Sequence, residues 1–142
     1  MALAALRATA PRLDLNLTRW PVIEVTNPPA FTDEEWTHLL AQIVDVIRRD
    51  RPFSMINDVR VGPPPSAQQR KAISQLYQEN MALVKKNWRG TALITSSALV
   101  QGAITALNWL MPPPHPVKVC SNYAEGEKWA FQQVGLTIVS SR

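Results

Sequence analysis

The sequence predicts an α/β domain built on a mostly parallel sheet, and three observations predict it. Short β-branched runs alternate with amphipathic helical stretches along the chain. The connections between them are short, about two to seven residues, as in compact α/β units. Helix starts carry capping side chains at the positions where orphan N–H groups need them. Strands separated by helices pair in parallel through right-handed crossovers, so the helices cover the sheet. About five strands and four helices are expected, in the order β-β-α-β-α-β-α-β-α. The domain spans residues 13–134, between a leader at 1–12 and a tail at 135–142.

Leu13 to Leu17 alternates apolar and polar residues, and Pro21 to Thr26 is β-branched. The pair reads as a hairpin turning near Arg19 and Trp20, which puts an antiparallel edge on the sheet. Asn27, Pro28 and Pro29 end the second strand, because proline lacks the ladder N–H. A helix then starts at Thr32, with Glu35 completing a capping box and Phe31 placed to pack on Trp36 as a hydrophobic staple. Its apolar stripe runs through Leu39, Leu40, Ile43, Val46 and Ile47. Arg48, Arg49 and Arg51 suit the negative end of its dipole.

Phe53 to Val59 reads as the third strand, followed by the stiff loop Gly62-Pro63-Pro64-Pro65. Ser66 and Gln69 repeat the capping box. One long helix is expected from there to Arg89, its stripe formed by Ile73, Leu76, Tyr77, Met81, Val84 and Trp88, with Gly90 as its stop. Thr91 to Thr95 is a fourth strand, apolar enough to be buried on both faces. Ser96 and Ser97 open a third helix, Ala98 to Met111, apolar nearly all round and stopped by Pro112. Gly102, Ala103 and Ala106 give it a small-residue face for close packing. Pro116 to Cys120 is the fifth strand, and Asn122 with Glu125 caps a last helix to about Val134.

Composition excludes several classes. The chain of 142 residues is 46% hydrophobic and 18% charged, which suits a folded domain rather than a disordered one. Its lone cysteine, Cys120, rules out an internal disulfide framework and points to a reducing, cytoplasmic setting. No apolar run approaches the ~18 residues of a membrane span. Fifteen Lys and Arg against eleven Asp and Glu give a net charge of +4, too small an excess to argue for nucleic acid. The leader lacks the long apolar stretch and cleavage site of a signal peptide.

Motif searches return no catalytic or cofactor site. His38, His115 and Cys120 share no metal-ligand spacing. No glycine-rich phosphate loop occurs, and the prolines at 63 to 65 remove the N–H donors that cradle phosphate. Cys120 reads as a buried structural thiol, with only Lys118 near it on the same strand face. Ser96 and Ser97 sit at a strand-to-helix turn without the glycines of a nucleophile elbow.

Two groups of residues remain as candidate sites. Asp58, Arg60, Ser96 and Ser97 fall where strands leave the sheet, the usual ligand crevice of parallel folds; Asp58 pairing with Arg60 is the competing reading. Arg70, Lys71, Lys85, Lys86 and Arg89 fall on one half of the second long helix, opposed only by Glu79. They are either a solvated face or a docking surface for an acidic protein or a phosphate headgroup, with Ser66 at the helix start. Trp36, Trp88, Trp109 and Trp129 all fall on expected helices, in core packing or at an apolar ligand pocket or dimer face.

The order of elements, Asn57-Asp58-Val59-Arg60 ending a strand, and Thr95-Ser96-Ser97 leading into an apolar helix resemble a STAS domain. This is the family of sulphate-transporter and anti-sigma-factor-antagonist domains, in a broader group with CRAL-TRIO-like bacterial proteins. Pro113 to Val119 matches the strand that follows in small stand-alone members. The resemblance covers about residues 13 to 134. It implies a non-enzymatic regulatory module, needing no cofactor, that binds a partner protein and is in some members switched by phosphorylation. Ser66 is the nearest positional match to the family's phosphorylated serine, but the Asp-Ser-Ser-Gly-like motif is absent here. A small apolar ligand or lipid is the alternative occupant, and a homodimer is a further expectation. The tail at 136 to 138, Leu-Thr-Ile followed by Ser and Arg, is similar to short tags that dock cargo into encapsulin shells. It lacks their glycine and second leucine.

Overall fold

The computed structural model describes residues 13–63 and 65–138. Four strands form one sheet: β1 (Val22–Thr26), β2 (Phe53–Asp58), β3 (Trp88–Ile94) and β4 (Val117–Cys120). They lie side by side in chain order, and every neighbouring pair is parallel. The helices are α1 (Asp33–Arg48), α2 (Ala67–Glu79), α3 (Met81–Asn87), α4 (Ala98–Leu110) and α5 (Tyr123–Gln133).

Strands in sequential parallel order, joined by crossovers of one hand, place all connecting helices on one face. The two cores follow that division. On one face, Ile23, Val25, Phe53 and Met55 pack with Trp36, Leu39, Ile43 and Ile47 of α1, Leu76 of α2 and Val84 of α3. On the other, Val22, Ile56, Ala92, Ile94 and Cys120 meet Ala130, Trp129 and Tyr123 of α5 alone. Alternation along each strand sorts these two sets.

The expected caps form. Thr32 and Glu35 close their box at α1, and Phe31 stacks on Trp36 with ring centroids 5.8 Å apart. Ser66 and Gln69 close a second box at α2. Ser97 accepts from Val100 N–H at α4, and Asn122 from Glu125 N–H at α5.

Four expectations are corrected. The sheet has four strands, not five: the hairpin reduces to one antiparallel bridge between Asn16 and Glu24. Leu13 and Leu15 are buried, and the N–H of Leu15 is shared between Asp14 Oδ1 (3.0 Å) and Gln42 Oε1 of α1 (3.2 Å) rather than given to a neighbouring strand. There are five helices rather than four, because the second long helix breaks at Asn80. The Asn80 side chain donates to Leu76 C=O (2.9 Å), and its backbone leaves the helical region at φ −125°, ψ 23°. Asparagine competes for backbone groups in this way and ends helices.

Trp88, Arg89 and Gly90 belong to β3 rather than to a helix end. Phe53 faces Trp88 and Met55 faces Thr91, so β3 carries one extra residue there, a bulge. A Cβ on Gly90 would stand 2.6 Å from the Trp129 ring of α5, so the position admits no side chain without movement. Lastly, α4 is not a packed core helix. None of its residues is buried, and Leu99, Trp109 and Leu110 are 84%, 85% and 80% exposed.

The leader at 1–12 lies outside the described residues, as do 139–142 of the tail. Gly135, in the left-handed region at φ 76°, stops α5, and residues 136–138 join no strand.

Candidate functional site

A cleft of about 290 Å³, half open to solvent, lies between the sheet and α4. Its floor is the inward row of the sheet: Val25, Met55, Asn57, Thr91, Leu93 and Val117. Trp36, Leu39 and Ile43 of α1 and Ile73 and Tyr77 of α2 form one wall. Ile104, Leu107 and Asn108 of α4, with Met111 to Pro113, form the other. The cause is topological. The third crossover must reach the four-residue β4, where the sheet face is short and the neighbouring helices already occupy β1 to β3. So α4 rests over a gap.

At one end of the cleft, His115 is 6% exposed between prolines and stacks on Trp88 with ring centroids 4.3 Å apart. The Tyr77 hydroxyl donates to His115 Nε2 (3.1 Å), and Nδ1–H faces Pro116 C=O (3.3 Å). Burial pushes the His115 pKa down to about 4, so the ring is neutral at pH 7. Burial pushes the Tyr77 hydroxyl well above its ordinary value, which keeps it a donor.

Toward the C-terminal edge of the strands the lining turns polar. Asn57 Nδ2 donates to Asn27 Oδ1 (2.9 Å) and Val25 C=O (3.3 Å). Asn27, 2% exposed, is held from behind by the Gly62 loop, where a Cβ would sit 2.5 Å from Asn27 C=O. Arg70, in the first turn of α2, lines the same cleft and donates to Pro65 C=O (2.9 Å). The indole N–H of Trp36 is buried with no acceptor among the described residues.

Of the two candidate groups only Arg70 lines this cleft, together with Trp36 and Trp88 of the tryptophans weighed for core packing or an apolar pocket. Asp58 is locked to Arg60 by two side-chain hydrogen bonds (3.0 and 2.7 Å) and one from Arg60 N–H (3.0 Å). Burial alone would raise the Asp58 pKa; the hydrogen bonds and charge of Arg60 outweigh it and hold the carboxyl below its ordinary value. Ser97 caps α4, and Ser96 is exposed beside it. None of Asp58, Arg60, Ser96 and Ser97 lines this cleft.

Nor do the basic residues share one helix. Arg70 and Lys71 lie on α2, Lys85 and Lys86 on α3, and Arg89 on β3. Lys86 pairs with Asp50 at 3.0 Å. Ser66 is exposed, its hydroxyl engaged by Gln69 N–H (3.1 Å).

His38 is exposed on α1, as expected. Cys120 is buried, and desolvation, with Glu125 nearby, raises its pKa against the smaller pull of Lys118. Among the described residues no three His, Cys, Asp or Glu side chains gather, and no helix is long and apolar enough to cross a membrane.

Sequence reasoning named Trp88 for core packing or an apolar pocket but missed its clustering with Tyr77 and His115, and missed the asparagine pair. The available signal was a charge-free α4, with the amides of Asn27 and Asn57 near the C-terminal ends of β1 and β2.

The arrangement is a SpoIIAA-like α/β fold. The fold is similar to the crystal structure of an uncharacterized protein of the DUF3478 family, with a SpoIIAA-like fold, from Shewanella loihica PV-4. The TM-score is 0.58 over 82% of this chain and 90% of that one, at 13% sequence identity. No protein-family model and no curated protein matches the sequence.

Proposed function

We propose that the chain is a non-catalytic binding module that takes a small apolar ligand into the cleft beneath α4. The observation that carries this reading is the cleft itself: about 290 Å³, walled by aromatic and aliphatic side chains, with a few polar groups at each end. Ligand clefts start at about this size and have this composition. No step of chemistry is assigned to it. The cysteine is buried, Asp58 is neutralised by Arg60, and the neutral His115 already accepts from Tyr77.

A second reading is favoured by one observation: Leu99, Trp109, Leu110 and Met111 form an exposed apolar strip on and just after α4. Exposed apolar patches mark protein contacts, and a partner protein seated on this strip would use the module as the STAS resemblance implies. Ser66, Lys71, Lys85 and Arg89, exposed on different elements, then remain as further contacts for that partner or an anionic one. The cytoplasm is the proposed setting for either role.

Native mass spectrometry of the full chain, freshly purified from its own cells, tests the first reading. A retained adduct of small mass, removed by organic extraction, is expected. An unmodified mass throughout, with no apolar compound taken up on addition, overturns it.

A further inference from the structure

Resting on the cleft reading, we propose that the ligand is an amphiphilic carboxylate of about ten non-hydrogen atoms, whose head is bound by Arg70 and whose apolar body lies beneath α4. Three observations converge on this. First, Arg70 is the only charge among the described lining residues: none of these is Asp or Glu, and His115 is neutral. Second, Arg70 forms no ion pair among the described residues, and its one hydrogen bond, to Pro65 C=O, leaves most of its donors free. A half-buried guanidinium beside apolar walls gains most from a planar anion that takes two of its N–H groups together.

Third, the head end holds a second donor. Trp36, in the first turn of α1 after β1, lines the cleft, and its buried indole N–H finds no acceptor among the described residues. At the other end the polar atoms of Tyr77 and His115 satisfy each other, and no charged side chain among the described lining residues stands there. The head is therefore placed at the C-terminal edge of the strands and the tail toward His115. At about 30 Å³ per water-sized atom, 290 Å³ accommodates about ten non-hydrogen atoms, the size of an eight-carbon acid.

Isothermal titration of the full chain with octanoate and with octanol tests the proposal. Octanoate is expected to bind at least ten-fold more tightly than octanol, the effect of a charge-assisted hydrogen-bond pair. Arg70→Gln is expected to abolish that preference, the variant binding octanoate no more tightly than it binds octanol. Arg70→Lys, which keeps the charge but not the fork, is expected to retain part of it and stands in should the Gln variant not fold. Acetate, which has no apolar body, is expected not to compete.

Equal binding of octanoate and octanol overturns the carboxylate proposal while the cleft reading stands. An octanoate preference that survives in both variants does the same. Binding of neither compound overturns both.

Discussion

His115 makes the fold sensitive to acid. Its ring is buried neutral with a pKa of about 4, against 6.5 when unfolded. Between those values the unfolded chain holds more protons than the folded one, so stability falls as pH drops from about 6.5 toward 4, by about 3 kcal/mol. Below that, protonation of Asp58 removes its attraction to Arg60 and adds a further loss. Urea midpoints measured across pH 4 to 7 are expected to show the decline, and His115→Phe to flatten it. Gly90 is sensitive to volume instead. Gly90→Ala pushes a methyl to within 2.6 Å of Trp129 and is expected to cost about 1–3 kcal/mol by chemical denaturation. Neither role was legible in sequence. Gly90 follows a basic pair and an aromatic residue, as a helix stop would, and only the bulge in β3 gives it another use. His115 sits among prolines, where exposure is the usual fate.

At the scale of elements, what sequence revealed was local and what it concealed was tertiary. Capping boxes at Thr32 and Ser66 were readable because their partners lie three residues away. The break at Asn80 was not, because Ile73, Leu76, Tyr77, Val84 and Trp88 keep a helical spacing straight through it. The burial of α4 was misread for a related reason: a charge-free helix reads as core, and nothing in its residues says that β4 is too short to cover it. Two tryptophans separate these cases. Trp109→Ser is expected to change stability by no more than about 0.5 kcal/mol, because the side chain is 85% exposed. Trp88→Ala, which removes the partner of Phe53, Tyr77 and His115, is expected to cost about 3–5 kcal/mol. Thermal melts of the two variants check both.

For the molecule as a whole, the parallel α/β architecture was legible from the alternation of strands and helices, whereas the cleft was not. A cleft depends on how far α4 stands off the sheet, a distance that no spacing of residues encodes. Local stability follows the same geometry. Amide hydrogen exchange is expected to be slowest in β2 and β3, which are paired on both sides and covered on both faces, and fastest in α4. The flanks of the sheet also differ. Along β1, Asn16 already engages both the N–H and the C=O of Glu24 (3.0 and 2.8 Å), and Arg19 C=O accepts from Val22 N–H (3.1 Å). Along β4, no further strand follows among the described residues. Backbone-to-backbone recruitment of another molecule is thus one-sided. Two copies meeting there consume each other's free flank, so such growth terminates at a pair and cannot run on into a fibre.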